Sequence, residues 1–238
     1  MRASRSRLGL FLRRWLVRIV LGWLLLTVGP IVALRWVDPP TSAFMIRDRI
    51  NVWVGTERYP LRQRWVPFRQ IASAAKRAVI AAEDQKFPYH FGFDFDSIAN
   101  AFDEREKGER VRGASTITQQ VAKNLFLWPG QDWVRKGIEA YLTVLIEVCW
   151  PKQRTLEIYL NIAEFGRGVY GVGAASDAYL HKSASALSVA DGALLAAVLP
   201  NPHRFRVAAP SGYVRRRQAW IIRQMQHQGP LTMLRNST

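Results

Sequence analysis

The stretch AAEDQKFPYHFGFD, residues 81–94, sets the question from which the rest of the chain is read. An acidic pair, Glu83-Asp84, closes an alanine-rich helical run, and Phe87, Pro88, His90 and Gly92 follow closely. A solvated helix C-terminus favours Lys or Arg, because its free carbonyls carry partial negative charge. A carboxylate there, on a stripe of alanines and ahead of Phe87, Phe91 and Phe93, points to partial burial. Desolvation raises a carboxylate's pKa and suits it to general base or acid work. The alternative is a helix-end acid paired with Lys76 or Arg77, and spacing alone leaves the two readings equal.

Outward from this stretch the pattern is helical. Before it, Pro67 suits a first helical turn, and Ile71, Ala74, Ala75, Ala78, Val79 and Ala82 form an apolar stripe ending at Glu83. After it, Asp96-Ser97 can cap a helix through Phe102, followed by the charged loop DEREKGER. Ser115 or Thr116 starts the next helix, with Ile117, Val121 and Leu125 in line. Trp133–Trp150 is a long apolar helix stopped by Pro151, and Lys152–Phe165 is another, closed by Gly166 and Gly168. Ser188 to Asp191 resembles a capping box ahead of GALLAAVLP, and residues 211–225 form a last basic amphipathic helix. Residues 38–66 read as an irregular membrane-proximal linker with β-favouring pieces such as INVWV. There is no repeat and no alternating strand array, so the fold class is mainly α.

Composition bounds the function. The 238 residues suit one domain with an appendage, and the 49% apolar content excludes a disordered chain. The formal charge of +16 implies an anionic partner: nucleic acid, anionic membrane or a phosphorylated substrate. The single cysteine, Cys149, excludes an internal disulfide and sits in an apolar run that suggests buried packing. The four histidines are far apart and give no zinc spacing, so no metal site is expected.

From Ile19 to Leu34 no residue is charged, and the flanks extend the run to 23 residues, 15–37, with Trp15 and Trp36 at its ends. At 1.5 Å per residue this is roughly 34 Å, enough to cross a bilayer core. Arg2, Arg5, Arg7, Arg13, Arg14 and Arg18 precede or open it without an acid. The excess of cations places the N-terminus in the cytoplasm and the body outside. A cleaved signal peptide is the rival, but no small-x-small site follows the run. The seven arginines of residues 1–35 account for less than half of the charge, and about +9 remains on the body.

Three further stretches contain candidate site residues. In RGASTITQQVAKNLFL (112–127), Gly113 permits a tight turn, and Ser115, Thr116 and Thr118 crowd a helix N-terminus, which favours an anion. Thr116, Gln120, Lys123 and Asn124 form a polar face opposite the apolar stripe. A solvated face is the commoner explanation, yet these residue types also suit a sugar-phosphate site. In WVRKGIEAYL (133–142), Arg135 and Glu139 share a helix face four residues apart. A surface ion pair is the plain reading, but the rest of that helix is nearly all apolar. In KQRTLEIYLNIAEFGRGVYG (152–171), Lys152, Leu156, Tyr159 and Asn161 bracket an aromatic-rich helix that packing mostly explains; Asn161 beside Glu164 is less easily explained by it.

No one of these stretches decides the function, but their order does. AAEDQKFPYHFGFD, RGASTITQQVAKNLFL, RKGIE, KQRTLEIYLN, LLAAVLPNP and YVRRRQAW together resemble the glycosyltransferase domain of class A penicillin-binding proteins, glycosyltransferase family 51, and its monofunctional members in particular. The resemblance covers residues 60–226, with Thr155 where isoleucine is usual. It implies a lysozyme-like helical domain (67–228) with a small jaw region, a basic tail at 1–14, the anchor at 15–37 and a C-terminal tail at 229–238. The implied reaction polymerises lipid II into β-1,4 glycan strands, inverting the donor MurNAc C1 and releasing undecaprenyl pyrophosphate. Glu83 matches the family's general base and Glu139 its second catalytic glutamate. Asp84, His90, Ser115, Thr116, Gln120, Lys123, Asn124, Arg135, Lys136, Lys152 and Asn161 match positions expected to bind substrate. No cofactor is firmly implied, although a divalent cation, Mg or Mn, at the pyrophosphate is compatible with the family. An arginine usual shortly before R-K-x-x-E is replaced here by Gln131, so another cation would have to take its role. Implied partners are lipid II, the lipid-linked strand and the cytoplasmic membrane, with cell-wall synthesis or division proteins as candidates and no nucleic acid. The implied location is the inner membrane, single-pass, with the catalytic domain in the periplasm. A lytic transglycosylase or lysozyme and a basic membrane-anchored scaffold or nucleic-acid binder are the alternatives to be tested.

Overall fold

The computed structural model describes residues 2–106, 115–130, 132–229 and 231. Gly113, Gln131, the last part of the DEREKGER loop and nearly all of the C-terminal tail therefore lie outside the described residues. Residues 1–38 and 39–238 form two separate compact units.

The first unit is one helix, α1 (Arg2–Ala33), whose stretch Leu10–Ala33 is long and apolar enough to cross a membrane. Its 24 residues correspond to about 36 Å. The helix begins before the expected start at Trp15, because Leu8–Leu12 continue the apolar run, and it closes at Ala33 rather than Val37. Leu34–Trp36 form a turn after it, and Pro39-Pro40 beyond them keep the helix from resuming.

The second unit is built on helices, which bears out the mainly α class. It opens with α2 (Ala43–Trp53), where a linker with β-favouring pieces was expected. Ser42 caps it by accepting the Met45 N–H at 3.2 Å. Asp48, fully buried on this helix, accepts hydrogen bonds from the hydroxyls of Tyr59 at 3.1 Å and Tyr170 at 2.7 Å and pairs with Arg47. These tertiary partners outweigh the strand preference of Ile50, Val52 and Trp53.

The chain continues through β1 (Arg62–Gln63), a 3-10 turn at Phe68–Gln70, α3 (Ser73–Glu83), α4 (Phe95–Glu106), α5 (Ile117–Phe126), α6 (Trp133–Cys149) and α7 (Lys152–Ile162). There follow β2 (Glu164–Gly166), β3 (Val169–Tyr170), α8 (Gly171–Leu180), α9 (Val189–Val198) and α10 (Gly212–His227). The three short strands form one sheet in the order β1-β3-β2, parallel between β1 and β3 and antiparallel between β2 and β3. Two expectations are corrected here. Pro67 opens a 3-10 turn rather than a helix, and α7 ends at Ile162, so that Glu164 to Gly166 can pair with β3. The cap of α4 also moves, to Asp94, whose carboxylate accepts the Ser97 N–H at 3.1 Å and the Ser97 hydroxyl at 2.6 Å. Cys149 is half-buried.

Two packed groups position the site. In one, α9 is buried from Gly192 to Val198 and packs against α3 and α10. The α3–α9 approach is close because both helices present small residues. A Cβ at Gly192 would lie 2.9 Å from the Ala74 carbonyl oxygen and 3.0 Å from the Ala75 Cα, so only glycine fits. In the other, α5 packs on α6 and α7 through buried Ile117, Val121, Leu125, Leu142, Ile146 and Leu156.

Candidate active site

The stretches 81–94 and 115–120 form one hydrogen-bonded unit. The chain leaves α3 at Asp84, whose buried carboxylate accepts the Ile117 N–H at 2.9 Å and pairs with His90 Nε2 at 2.9 and 3.0 Å. Asp84 thus satisfies one of the free N–H groups at the start of α5. Thr116 and Gln119 close a capping box on the same helix end, and the Thr116 hydroxyl donates to the Gly92 carbonyl at 2.7 Å. Gly92 holds φ +76, and a Cβ there would sit 2.8 Å from Thr143 Cγ2 and 2.9 Å from Glu147 Cγ, so the loop requires glycine.

This junction sets Glu83 beside α5. Gln120 Nε2 donates to Glu83 Oε2 at 3.1 Å, and the Tyr159 hydroxyl donates to Gln120 Oε1 at 3.0 Å. The Tyr159 donor fixes which way the Gln120 amide points. Arg217, from α10, donates to Glu83 Oε1 at 3.4 Å and to the Ala82 carbonyl at 3.4 Å. Neither cation first considered as a partner is engaged with Glu83. Arg77 is bound by the Met225 and Gln228 carbonyls at 2.6 and 3.1 Å, and Lys76 lies 3.9 Å over the Phe68 ring. Burial raises the Glu83 pKa above the ordinary carboxylate range; the Gln120 hydrogen bond and the Arg217 charge oppose that rise without cancelling it.

A second group stands at the start of α6. Asp132 caps the helix by accepting the Arg135 N–H at 2.7 Å. Glu139, buried, takes Arg135 Nη1 on one oxygen at 2.7 Å and Lys136 Nζ on the other. Lys123, on α5, has no ion-pair partner among the described residues, and burial lowers its pKa. It feels the charges of both Glu139 and Glu83, which places it between the two groups.

Between α5 and α6 lies a cleft of about 250 Å³. Gln119, Gln120 and Lys123 line it from α5, Arg135, Lys136 and Glu139 from α6, and Ser115 and Gly130 complete it. Three cations face one carboxylate, so the cleft is suited to an anion carrying more than one negative charge. Glu83 stands one hydrogen bond away, through Gln120. Glu139 already holds two cations, and no group of three or more His, Cys, Asp or Glu among the described residues forms an all-protein metal cage, so a divalent ion here would draw most of its ligands from substrate oxygens and water.

The remaining expected residues lie elsewhere. Asp84, His90 and Thr116 are turned into the junction just described. Asn124 is half-buried on α5 outside the cleft lining. Lys152 pairs with Glu147 at 2.9 Å and lies 4.6 Å over the Phe87 ring. Asn161 is fully buried and bonds the Val66 N–H at 2.7 Å, the Val66 carbonyl at 2.9 Å and the Glu157 carbonyl at 2.9 Å. Sequence reasoning missed Arg217 and Gly130 as neighbours of the site, and counted Gln119 only as one of two adjacent glutamines. The T-x-x-Q spacing of Thr116 and Gln119 is a readable capping-box signal; no local signal links Arg217 to a residue 134 positions away.

A helical enzyme domain with a half-buried carboxylate beside a cationic cleft is the class that this fold and site define. Residues 51–226 match the family model described as Transglycosylase, and the chain belongs to that family. It is 54% identical over 230 residues to proteins named "Biosynthetic peptidoglycan transglycosylase" from Escherichia coli O1:K1 and from Shigella dysenteriae serotype 1. Each alignment covers 95% of this chain and 95% of the relative.

Proposed function

We propose that the protein is a peptidoglycan glycosyltransferase that polymerises lipid II into β-1,4 glycan strands. The observation that carries this reading is the placing of one half-buried, raised-pKa carboxylate, Glu83, beside a cleft with a surplus of cations. A glycosyl transfer from a lipid pyrophosphate needs both: a base for the acceptor and compensation for charge on the leaving group.

In the reaction, Glu83 takes the proton from the 4-hydroxyl of the acceptor GlcNAc. The acceptor oxygen forms a bond to C1 of the donor MurNAc from the face opposite the pyrophosphate. The bond from C1 to the pyrophosphate oxygen breaks, its electron pair leaves with undecaprenyl pyrophosphate, and the configuration passes from α to β. Lys123, Arg135 and Lys136 stabilise the charge that gathers on the leaving oxygens. Glu139 binds no substrate charge in this account; it holds Arg135 and Lys136 at the cleft wall. Gln120, fixed by Tyr159, aims the Glu83 carboxylate. Because Arg135 and Lys136 already converge on the cleft, they take the role left open at Gln131.

The single apolar helix at the N-terminus is compatible with a single-pass membrane anchor. The arginines that precede it support a cytoplasmic N-terminus and a periplasmic catalytic domain, on the side where the lipid-linked substrates of the proposed reaction would lie. A glycan hydrolase would need no surplus of cations in its cleft. Supplying the purified protein with lipid II or with finished glycan tests the two: the transferase consumes the first and leaves the second intact.

A further inference from the structure

From the geometry of the α5 cap we infer that Gln119 is a neutral hydrogen-bond donor to the anion in the cleft, gripping a non-bridging oxygen of the donor's pyrophosphate through Nε2. The inference rests on the proposed function and adds to it a residue that binds without adding charge.

The orientation follows from the capping box. The Thr116 N–H donates to Gln119 Oε1 at 2.9 Å, and the Thr116 hydroxyl lies 3.4 Å from the same oxygen. A backbone N–H can only donate, so the amide must present its oxygen to Thr116 and its NH2 group the other way. Gln119 is only 4% exposed, yet it lines the cleft, and among the described residues its Nε2 has no hydrogen-bond partner. It is also absent from the side-chain atoms that are wholly enclosed without a partner, which leaves the cleft as its outlet. The same helix end is thus used twice. The backbone N–H groups of Thr116, Ile117 and Gln119 are satisfied internally, by Gln119, Asp84 and Thr116 in turn, and the amide of Gln119 offers donors beside them.

The surroundings identify the acceptor. Lys123, Arg135 and Lys136 line the same cleft, so the group that meets Nε2 is an oxygen of the anion that these cations hold. A neutral donor has a use there: it fixes orientation and adds the hold of one hydrogen bond, without a fourth positive charge on a product that must depart after each transfer.

Gln119→Glu tests this without removing the cap, since glutamate at this position is an ordinary capping-box partner. It substitutes an acceptor for the donor and places a negative charge against the anion. Gln119→Asn is the second variant. It stays neutral and, by the precedent of Ser188 and Asp191 in this chain, a side chain one methylene shorter still closes a capping box, but it withdraws the donor. The measurements are the KM for lipid II, kcat, inhibition by inorganic pyrophosphate and the melting temperature of the full chain in detergent. Expected are a rise of about tenfold in KM and in the pyrophosphate inhibition constant for Gln119→Asn, the size of one hydrogen bond to a charged group, and a larger rise for Gln119→Glu. If both variants melt like the parent and both constants stay unchanged, the inference is overturned. If Gln119→Glu is unstable, Gln119→Asn alone decides. Failure of the parent to use lipid II at all would overturn the proposed function instead, and this inference with it.

Discussion

The role proposed for Glu83 depends on a compromise at one side chain. That side chain is enclosed by α3, α5 and α10, and burial raises its pKa although Gln120 and Arg217 act against the rise. Two consequences follow with opposite signs. For catalysis, the proposed base is competent only above its raised pKa, so kcat/KM should fall on acidification through a midpoint above the ordinary glutamate range. Glu83→Gln should lower polymerisation by at least about 10²–10⁴-fold, the usual contribution of a general base, while lipid II still binds. For stability, a folded-state pKa above the unfolded one means that the folded protein holds the proton more tightly. That contribution is complete below the unfolded pKa and is lost as pH rises through the folded one. Glu83→Gln should therefore melt higher than the parent at neutral pH, and the gap should close below the ordinary carboxylate range; a gap that widens on acidification would contradict the assigned burial. Lys123 marks the alkaline side. Burial lowers its pKa, so the rate should decline at a pH below that of an ordinary lysine. Lys123→Arg, which keeps its charge, should shift that decline upward, whereas Lys123→Ala should cost roughly 10²–10³-fold in kcat.

At the scale of elements, the expected site residues divide by what holds them. Asn161 has all three of its bonds on main-chain groups, two of them to Val66. Asn161→Ala should destabilise the fold by about 2–4 kcal/mol, from lost hydrogen bonds and a stranded Val66 N–H and carbonyl, with KM for lipid II little changed in the protein that remains folded. A selective loss of substrate affinity at full stability would restore its expected place among the binding residues. This division shows why part of the site was legible. Helices α5, α6 and α9 announce themselves through caps and 3.6-residue stripes, and Arg135 with Glu139 is a helix-face pair visible in the spacing. What joins them is not local. The bond from Ile117 N–H to Asp84 and the bond from Gln120 to Glu83 cross 33 and 37 residues, and Arg217 reaches Glu83 across 134. No periodicity reports such distances. Helix α2 was missed because Ile50, Val52 and Trp53 favour strands in isolation, while its stability comes from the tyrosine hydroxyls on buried Asp48. The end of α7 was set too late because the pairing of β2 with β3 is tertiary.

For the whole molecule, an anchored enzyme must present its cleft on the side where the substrate is. The leading arginines and the apolar helix predict that a reporter fused after Thr238 is active outside the cytoplasm; activity inside would reverse the orientation. The central claim joins that topology to chemistry: one base, Glu83, next to a cationic cleft, working on a lipid-pyrophosphate donor. The most direct test is to incubate the purified full chain and its Glu83→Gln variant with lipid II and to follow glycan length and undecaprenyl pyrophosphate together. The account expects β-1,4-linked polymer and one pyrophosphate released per bond formed by the parent, and almost neither from the variant. Polymer formed at a near-parental rate by Glu83→Gln, or cleavage of finished glycan in place of polymer, would contradict it.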